Sequence, residues 1–210
     1  MNIAILINYN SEYESISEVV IPNHIKYANK YKLSYHVFKN DFTNGRHIVW
    51  NKFLCIKKIL PFYDWVFFMD TDCLFLDFSI DLKTFIDENF SIVIGKNKSP
   101  NFYKHINEYH LECGAFFVKN EPISYEILNT LYYNVLESED AFWREQHNFE
   151  LLCKKNNWID KRVKRIDANL INAVHCNGIL NPFIYHCANS PDFSTEQKLE
   201  LLKEKIKLCV

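Results

Sequence analysis

The run WVFFMDTDCLF, Trp65–Phe75, closes a strongly apolar stretch with two carboxylates one residue apart, Asp70 and Asp72. Left buried and unpaired, such groups would cost several kcal/mol. They therefore stand beyond a strand's end in solvent, or they hold a positive charge. Residues i and i+2 of an extended strand point the same way, so both carboxylates can converge on one cation. Hard oxygen ligands suit Mg2+ or Mn2+, which in turn bridge diphosphate oxygens. The competing reading is a solvated acidic turn in which an Asp caps the next element. Asp77, farther on, reads as an ordinary turn or cap residue.

Three chemistries use such a pair. A calcium loop of the EF-hand kind needs a further acidic or amide ligand, then Gly and a distal Glu, and DTDCLFLDF lacks them. DTDCLF is similar to the nucleophile motif of haloacid-dehalogenase-type phosphatases, but Leu74 stands where those enzymes carry Thr or Val. The phosphatase stays as an alternative, as does a module that binds a sugar nucleotide without turnover. The third chemistry is sugar transfer from a nucleotide diphosphate held through the metal.

The elements that must position these groups alternate. Ile3–Ile7 reads as a strand and Ser11–Lys30 as a helix in which Pro22 marks a start or a break. Leu33–Phe38 is a second strand, Ile48–Leu60 a helix stopped by Pro61, and the apolar run before Asp70 a strand buried on both faces. Asp81–Asn89 is a short helix and Phe90–Gly95 a strand. The polar segment Lys96–His110 is a mobile loop and a candidate lid. Cys113–Asn120 is a strand, Pro122–Leu136 and Trp143–Asn156 are helices, KRVKRID is an edge strand, PFIYHCA a buried strand and Glu196–Leu208 a polar closing helix. Strand, helix, strand order predicts α/β architecture with an open sheet in a single domain over residues 1–210.

Composition narrows the partners. The chain has 210 residues, 48% hydrophobic and 16% aromatic, enough for a packed core, and a net charge of −2. No basic face favours nucleic acid. Seven cysteines without a CxxC pair argue against a zinc site and for small buried residues in a reducing compartment. The amino-terminal MNIAILINYN lacks the basic region and cleavage site of a signal peptide. No stretch approaches the roughly 18 apolar residues of a membrane span. The expectation is a soluble, cytoplasmic protein with no integral membrane segment.

HIKYANKYKLSYHVF, WNKFLCIKKIL, YDWVFFMDTDCLF, LECGAFFVKN, REQ and PFIYHCANS occur in the order and spacing of glycosyltransferase family 34. The chain resembles the retaining galactosyl-, xylosyl- and mannosyltransferases of that family across residues 24–190. The resemblance implies a GT-A fold, a Rossmann-like open mixed sheet flanked by helices. It also implies a metal-dependent transferase that moves a hexose from a UDP-sugar to a glycan or glycoconjugate acceptor, with retention. Asp70, Asp72 and His186 would then hold Mn2+ or Mg2+. Glu145 and Gln146, the family's acidic-Gln pair, would flank the reacting sugar as catalytic residues.

Ile7, Asn8, Tyr9 and Asn10, at the end of the first strand, would meet the nucleotide base, with Tyr9 stacking on the ring or serving only a helix-entry loop. Thr71 lies within the acidic motif. Lys52 and Arg46 are candidates for countering diphosphate charge. Glu112, Cys113 and Gly114 would bring backbone close to the donor sugar, since Gly permits close approach. His24, His36, His47, His105, His110, His147 and His175 are assigned structural roles. Two departures stand out: Glu112 replaces a common Asn, and CANSP after His186 lacks the Gly and nearby Lys that relatives often show. A compact relative, one module of a longer or virus-encoded enzyme, fits such a chain.

Overall fold

The structure is a computed structural model that describes residues 1–98, 109–135, 144–175, 182–188 and 193–209. Aliphatic Ile3–Asn8 forms β1, and after one 3-10 turn α1 spans Glu14–Tyr31. Pro22 lies inside α1 and neither starts nor breaks it. Its missing N–H leaves the Glu18 carbonyl without an intrahelical donor. The buried face of Val20, His24, Tyr27 and Ala28 carries the helix through that defect. Lys32 ends α1 in the left-handed region, and β2 (Ser34–Phe38) follows. Next come α2 (Asn51–Ile59), ended at the Pro61 turn, and β3 (Trp65–Met69).

After the acidic motif, β4 covers Cys73–Phe75. The helix expected over Asp81–Asn89 is a single 3-10 turn, Leu82–Phe85, capped by the Asp81 side chain. β5 (Ile92–Lys98) and β6 (Tyr109–Lys119) extend well into the segment expected to be irregular. Lys96–Lys98 and Tyr109–His110 pair with each other as strand, so they are no part of a lid; residues 99–108 of that expectation lie outside the described residues. Then come α3 (Pro122–Tyr133), α4 (Arg144–Lys155), α5 (Asn157–Asp160), β7 (Val163–Asp167), α6 (Ala168–Ile171), β8 (Ala173–Val174), β9 (Ile184–His186) and α7 (Thr195–Ile206).

Six strands form one mixed sheet in the order β2-β1-β3-β6-β5-β7. β1 is parallel to both neighbours, β6 is antiparallel to β3 and β5, and β7 closes the edge parallel to β5. Period-2 alternation sends Leu6, Phe68, Ile94 and Phe116 to one face, under α2, α3 and α4. Ile5, Phe67, Val93 and Phe117 go to the other, against α1 and the Leu82 turn. Both faces are covered at the centre of the sheet, so β1 and β3 read as continuous apolar runs. A second sheet, β4-β9-β8, packs with α1 and α7 around Leu74, Tyr185 and Leu202. Its two- and three-residue strands carry too little pattern to be read from sequence.

Candidate functional site

The acidic motif is the joint between the two sheets. β3 ends at Met69, Asp70–Asp72 turn with the Cys73 N–H donating to the Asp70 carbonyl at 3.2 Å, and β4 begins in the other sheet. The two carboxylates thus converge through a turn, not through the pleat of one extended strand. Three bonds fix this joint. The Asp70 N–H donates to the Gly114 carbonyl (2.7 Å), the Thr71 hydroxyl to the Asn8 carbonyl (2.9 Å), and the Cys187 N–H to the Asp72 carbonyl (2.9 Å). Antiparallel pairing of Cys73 with His186 then brings the imidazole to the motif.

Each carboxylate is held by a lysine on one oxygen and turns the other to His186. Asp70 Oδ1 lies 3.2 Å from Lys52 Nζ, and its Oδ2 is 3.9 Å from His186 Nε2. Asp72 Oδ2 lies 2.6 Å from Lys198 Nζ, and its Oδ1 is 3.2 Å from the same Nε2. Asp72 and His186 are buried, whereas the Asp70 side chain keeps 33% of its surface and is the open approach. Burial would raise the Asp72 carboxyl, but His186 and Lys198 outweigh it and hold the group below the usual range. Burial alone would likewise lower His186, and Asp72 reverses the sign and raises it.

The donor set fits a hard divalent cation. Adjacent ligands of an octahedral ion at about 2.1 Å stand about 3 Å apart, near the 3.2 Å between Nε2 and Asp72 Oδ1. Cys73 Sγ also lies within 4.8 Å of Asp72 and His186 ligand atoms. Burial pushes that thiol well above its ordinary value, so it is a poor partner for Mg2+ or Mn2+. Asp70, Asp72 and His186 are the better set.

Lys52 is not placed to counter a diphosphate. Buried on α2, its ammonium donates to Glu145 Oε1 (2.8 Å) and the Cys113 carbonyl (3.1 Å) and pairs with Asp70, which uses its three protons. It is a bridge between the acidic motif and Glu145. Arg46 is engaged elsewhere: its guanidinium lies 4.4 Å from the Trp50 ring and 4.6 Å from the Tyr132 ring, and it donates to the Tyr132 carbonyl.

Glu145, 9% exposed, is no solvated helix charge. Its neighbour Gln146 and Glu150, one turn on, explain the shape of β6. Between Ile94 and Gly95 the register slips by three residues, so 113–115 of β6 bulge from β5. Gln146 Oε1 accepts from the Cys113 N–H (3.1 Å) and Glu150 Oε1 from the Leu111 N–H (2.8 Å). Four helical residues rise about 6 Å and two strand residues about 6.6 Å, so helix side chains can satisfy alternate strand amides.

The need for glycine at 114 also has a physical source. A Cβ there would lie 2.3 Å from His186 Cε1 and 2.6 Å from its Nδ1. The close approach is to the imidazole ring. Glu112 Oε1 bonds His110 Nε2 (2.7 Å), and Cys113 is buried. Of the base-binding candidates, Ile7 and Tyr9 are packed in the core, Tyr9 with Lys39 Nζ 5.4 Å above its ring, and Asn8 and Asn10 are half-buried. His24 donates through Nε2 to the Cys73 carbonyl (2.8 Å) and faces the Tyr35 hydroxyl (3.0 Å), a structural role beside the motif.

Lys198 escapes a sequence reading because its helix looks like a solvated Lys/Glu surface. The one signal is position: it shares a helix face with Leu202, four residues on, and both are buried. A capping box of Ser194 and Gln197 starts α7 just before it.

Among the described residues no helix is long and apolar enough to cross a membrane. The profile of the galactosyl transferase GMA12/MNN10 family matches residues 3–100. No curated protein matches the chain. Solved structures do. A glycosyltransferase involved in glycosylation of the major capsid of PBCV-1 is 14% identical, with a TM-score of 0.75 over 97% of this chain and 100% of that one. The glycosyltransferase GlyE of Streptococcus pneumoniae TIGR4 is 13% identical (TM-score 0.65), and the match covers 98% of this chain and 60% of GlyE. The galactosyltransferase LgtC, solved with donor and acceptor sugar analogs, is 11% identical (TM-score 0.58), over 98% of this chain and 95% of LgtC. These likenesses establish the fold.

Proposed function

We propose that this chain, a glycosyltransferase of the family-34-like type, transfers a hexose from a UDP-sugar to a glycan or glycoconjugate acceptor, with retention and with Mn2+ or Mg2+, and that residues 1–210 act as one catalytic domain. The observation that carries the reading is the convergence of Asp70 Oδ2 and Asp72 Oδ1 on His186 Nε2, while a lysine holds the opposite oxygen of each carboxylate. Asp70, Asp72 and His186 would hold the ion, leaving its other positions to diphosphate oxygens. When bound, the ion supplies positive charge against the leaving diphosphate.

The chain's own residues do the rest. Glu145, held by Lys52, supplies negative charge where the anomeric carbon turns positive. Gln146 holds the β6 bulge through the Cys113 N–H and so sets the wall beside the sugar. Asn8 and Asn10 face the base at the mouth of β1. LgtC, caught with donor and acceptor sugar analogs, supports a donor-and-acceptor reaction here. Six described cysteines are free, which fits a reducing, cytoplasmic setting.

Calorimetric titration of UDP into metal-stripped protein, with and without Mn2+, then with a panel of UDP-sugars, tests the reading. Metal-dependent binding that prefers one UDP-sugar is the expected outcome. Binding indifferent to Mn2+, or none to any uridine nucleotide, would overturn it.

A further inference from the structure

Asn172 sits at the end of α6, immediately before β8, with no exposed surface. A buried amide must be hydrogen-bonded or it costs stability. Among the described residues its Oδ1 has no partner, and its Nδ2 makes only a long 3.5 Å contact with the Glu112 carbonyl. His186 shows the matching defect: Nε2 faces the carboxylates, while its buried Nδ1 has no partner among the described residues. The two groups flank one spot. The position a Gly114 Cβ would take is 2.6 Å from His186 Nδ1 and 3.1 Å from Asn172 Nδ2. Pairing of β8 with β9, Val174 opposite His186, holds them there.

Rotating a carboxamide by half a turn exchanges its oxygen and nitrogen at no cost in shape. In that orientation the Asn172 oxygen takes the Nδ2 position, beside the same Gly114 spot that Nδ1 lines. We propose that Asn172 is a positioning residue for the metal site: its Oδ1 accepts from the His186 Nδ1–H and so keeps the lone pair at Nε2 for the cation. The inference rests on the metal reading above. A ligating imidazole commonly donates its other N–H to an oxygen, which fixes tautomer and ring angle. Here the carboxylates face Nε2, and the absent Gly114 Cβ leaves room for an amide at Nδ1.

The test compares Asn172→Leu, of similar size but without the acceptor, with Asn172→Asp, which keeps one. Mn2+ alone is titrated and free Mn2+ read by electron paramagnetic resonance. Asn172→Leu should weaken Mn2+ binding about 10- to 100-fold, and Asn172→Asp should bind within a few-fold of wild type. A second readout follows the tautomer: nitrogen NMR of the Mg2+-loaded wild type, with His186→Gln assigning the ring, should show Nδ1 protonated. Asn172→Leu binding Mn2+ as wild type does, or a wild-type ring protonated at Nε2 under Mg2+, overturns the inference while the metal reading stands. Wild type that binds no Mn2+ overturns both. If the Leu variant does not fold, the wild-type ring spectrum decides alone.

Discussion

Gly114→Ala tests the geometry of the site through stability, without any assumption about substrate. The added methyl would lie 2.3 Å from His186 Cε1, 2.6 Å from Nδ1 and 3.1 Å from Asn172 Nδ2. Ordinary contact needs roughly 1 Å more. The ring cannot yield freely, because His186 is buried and paired in β9 between β4 and β8. Overpacking of this kind costs about 1–3 kcal/mol, which for a chain of this size lowers Tm by about 2–12 °C. The decisive assay is a double-mutant cycle by denaturant unfolding. In the His186→Ala background the colliding ring is gone, so Gly114→Ala should then cost little, giving a coupling of about 1–3 kcal/mol. Additive losses in the two backgrounds would refute the claim that Gly114 is there for the imidazole.

Lys198→Met takes from the buried Asp72 carboxylate its lysine, leaving His186 alone against it, and should cost about 3–5 kcal/mol; unfolding with an unchanged midpoint would show that α7 contributes no charge to the site. His24, buried and neutral, has its pKa lowered to about 4. The unfolded chain therefore takes up a proton below about 6.5 that the native one refuses, and stability falls by about 3 kcal/mol between there and pH 4. His24→Gln should flatten that stretch of the pH profile, and an unaltered slope would dismiss His24 as its source. Glu145→Gln should leave Mn2+-dependent UDP binding within a few-fold of wild type and lower turnover by about 100-fold or more. Equal loss of both would make Glu145 a binding residue.

The apolar strand ending in Asp70 and Asp72 was legible because β3 is buried on both faces and its chemistry is confined to its end. His186 was legible only as the end of PFIYH in an ordered set of motifs. What the sequence hid was long-range. Lys198 joins Asp72 across 126 residues, and nothing in a Lys/Glu-rich helix marks which lysine turns inward except its neighbour Leu202. Lys52 reads from its motif as a counter-charge for diphosphate, and no local pattern marks its three protein acceptors, which come from three different elements. Gln146 and Glu150 looked like helix surface because the strand amides they satisfy exist only through the β6 bulge. The local rule for Pro22 predicts a helix start or break, and burial of the α1 face overrides it.

Lys52 and Lys198 lie among Asp70, Asp72 and Glu145, so the pocket carries its own counter-charges before any ion arrives. Small metallodomains whose ligands repel one another stay unfolded until the metal joins them. Here, by contrast, the carboxylates are already reconciled, and the fold has no debt to the cation. Stripping it with a chelator should silence the protein and leave its architecture standing. On the proposed reading the ion then comes and goes with each nucleotide as a visitor.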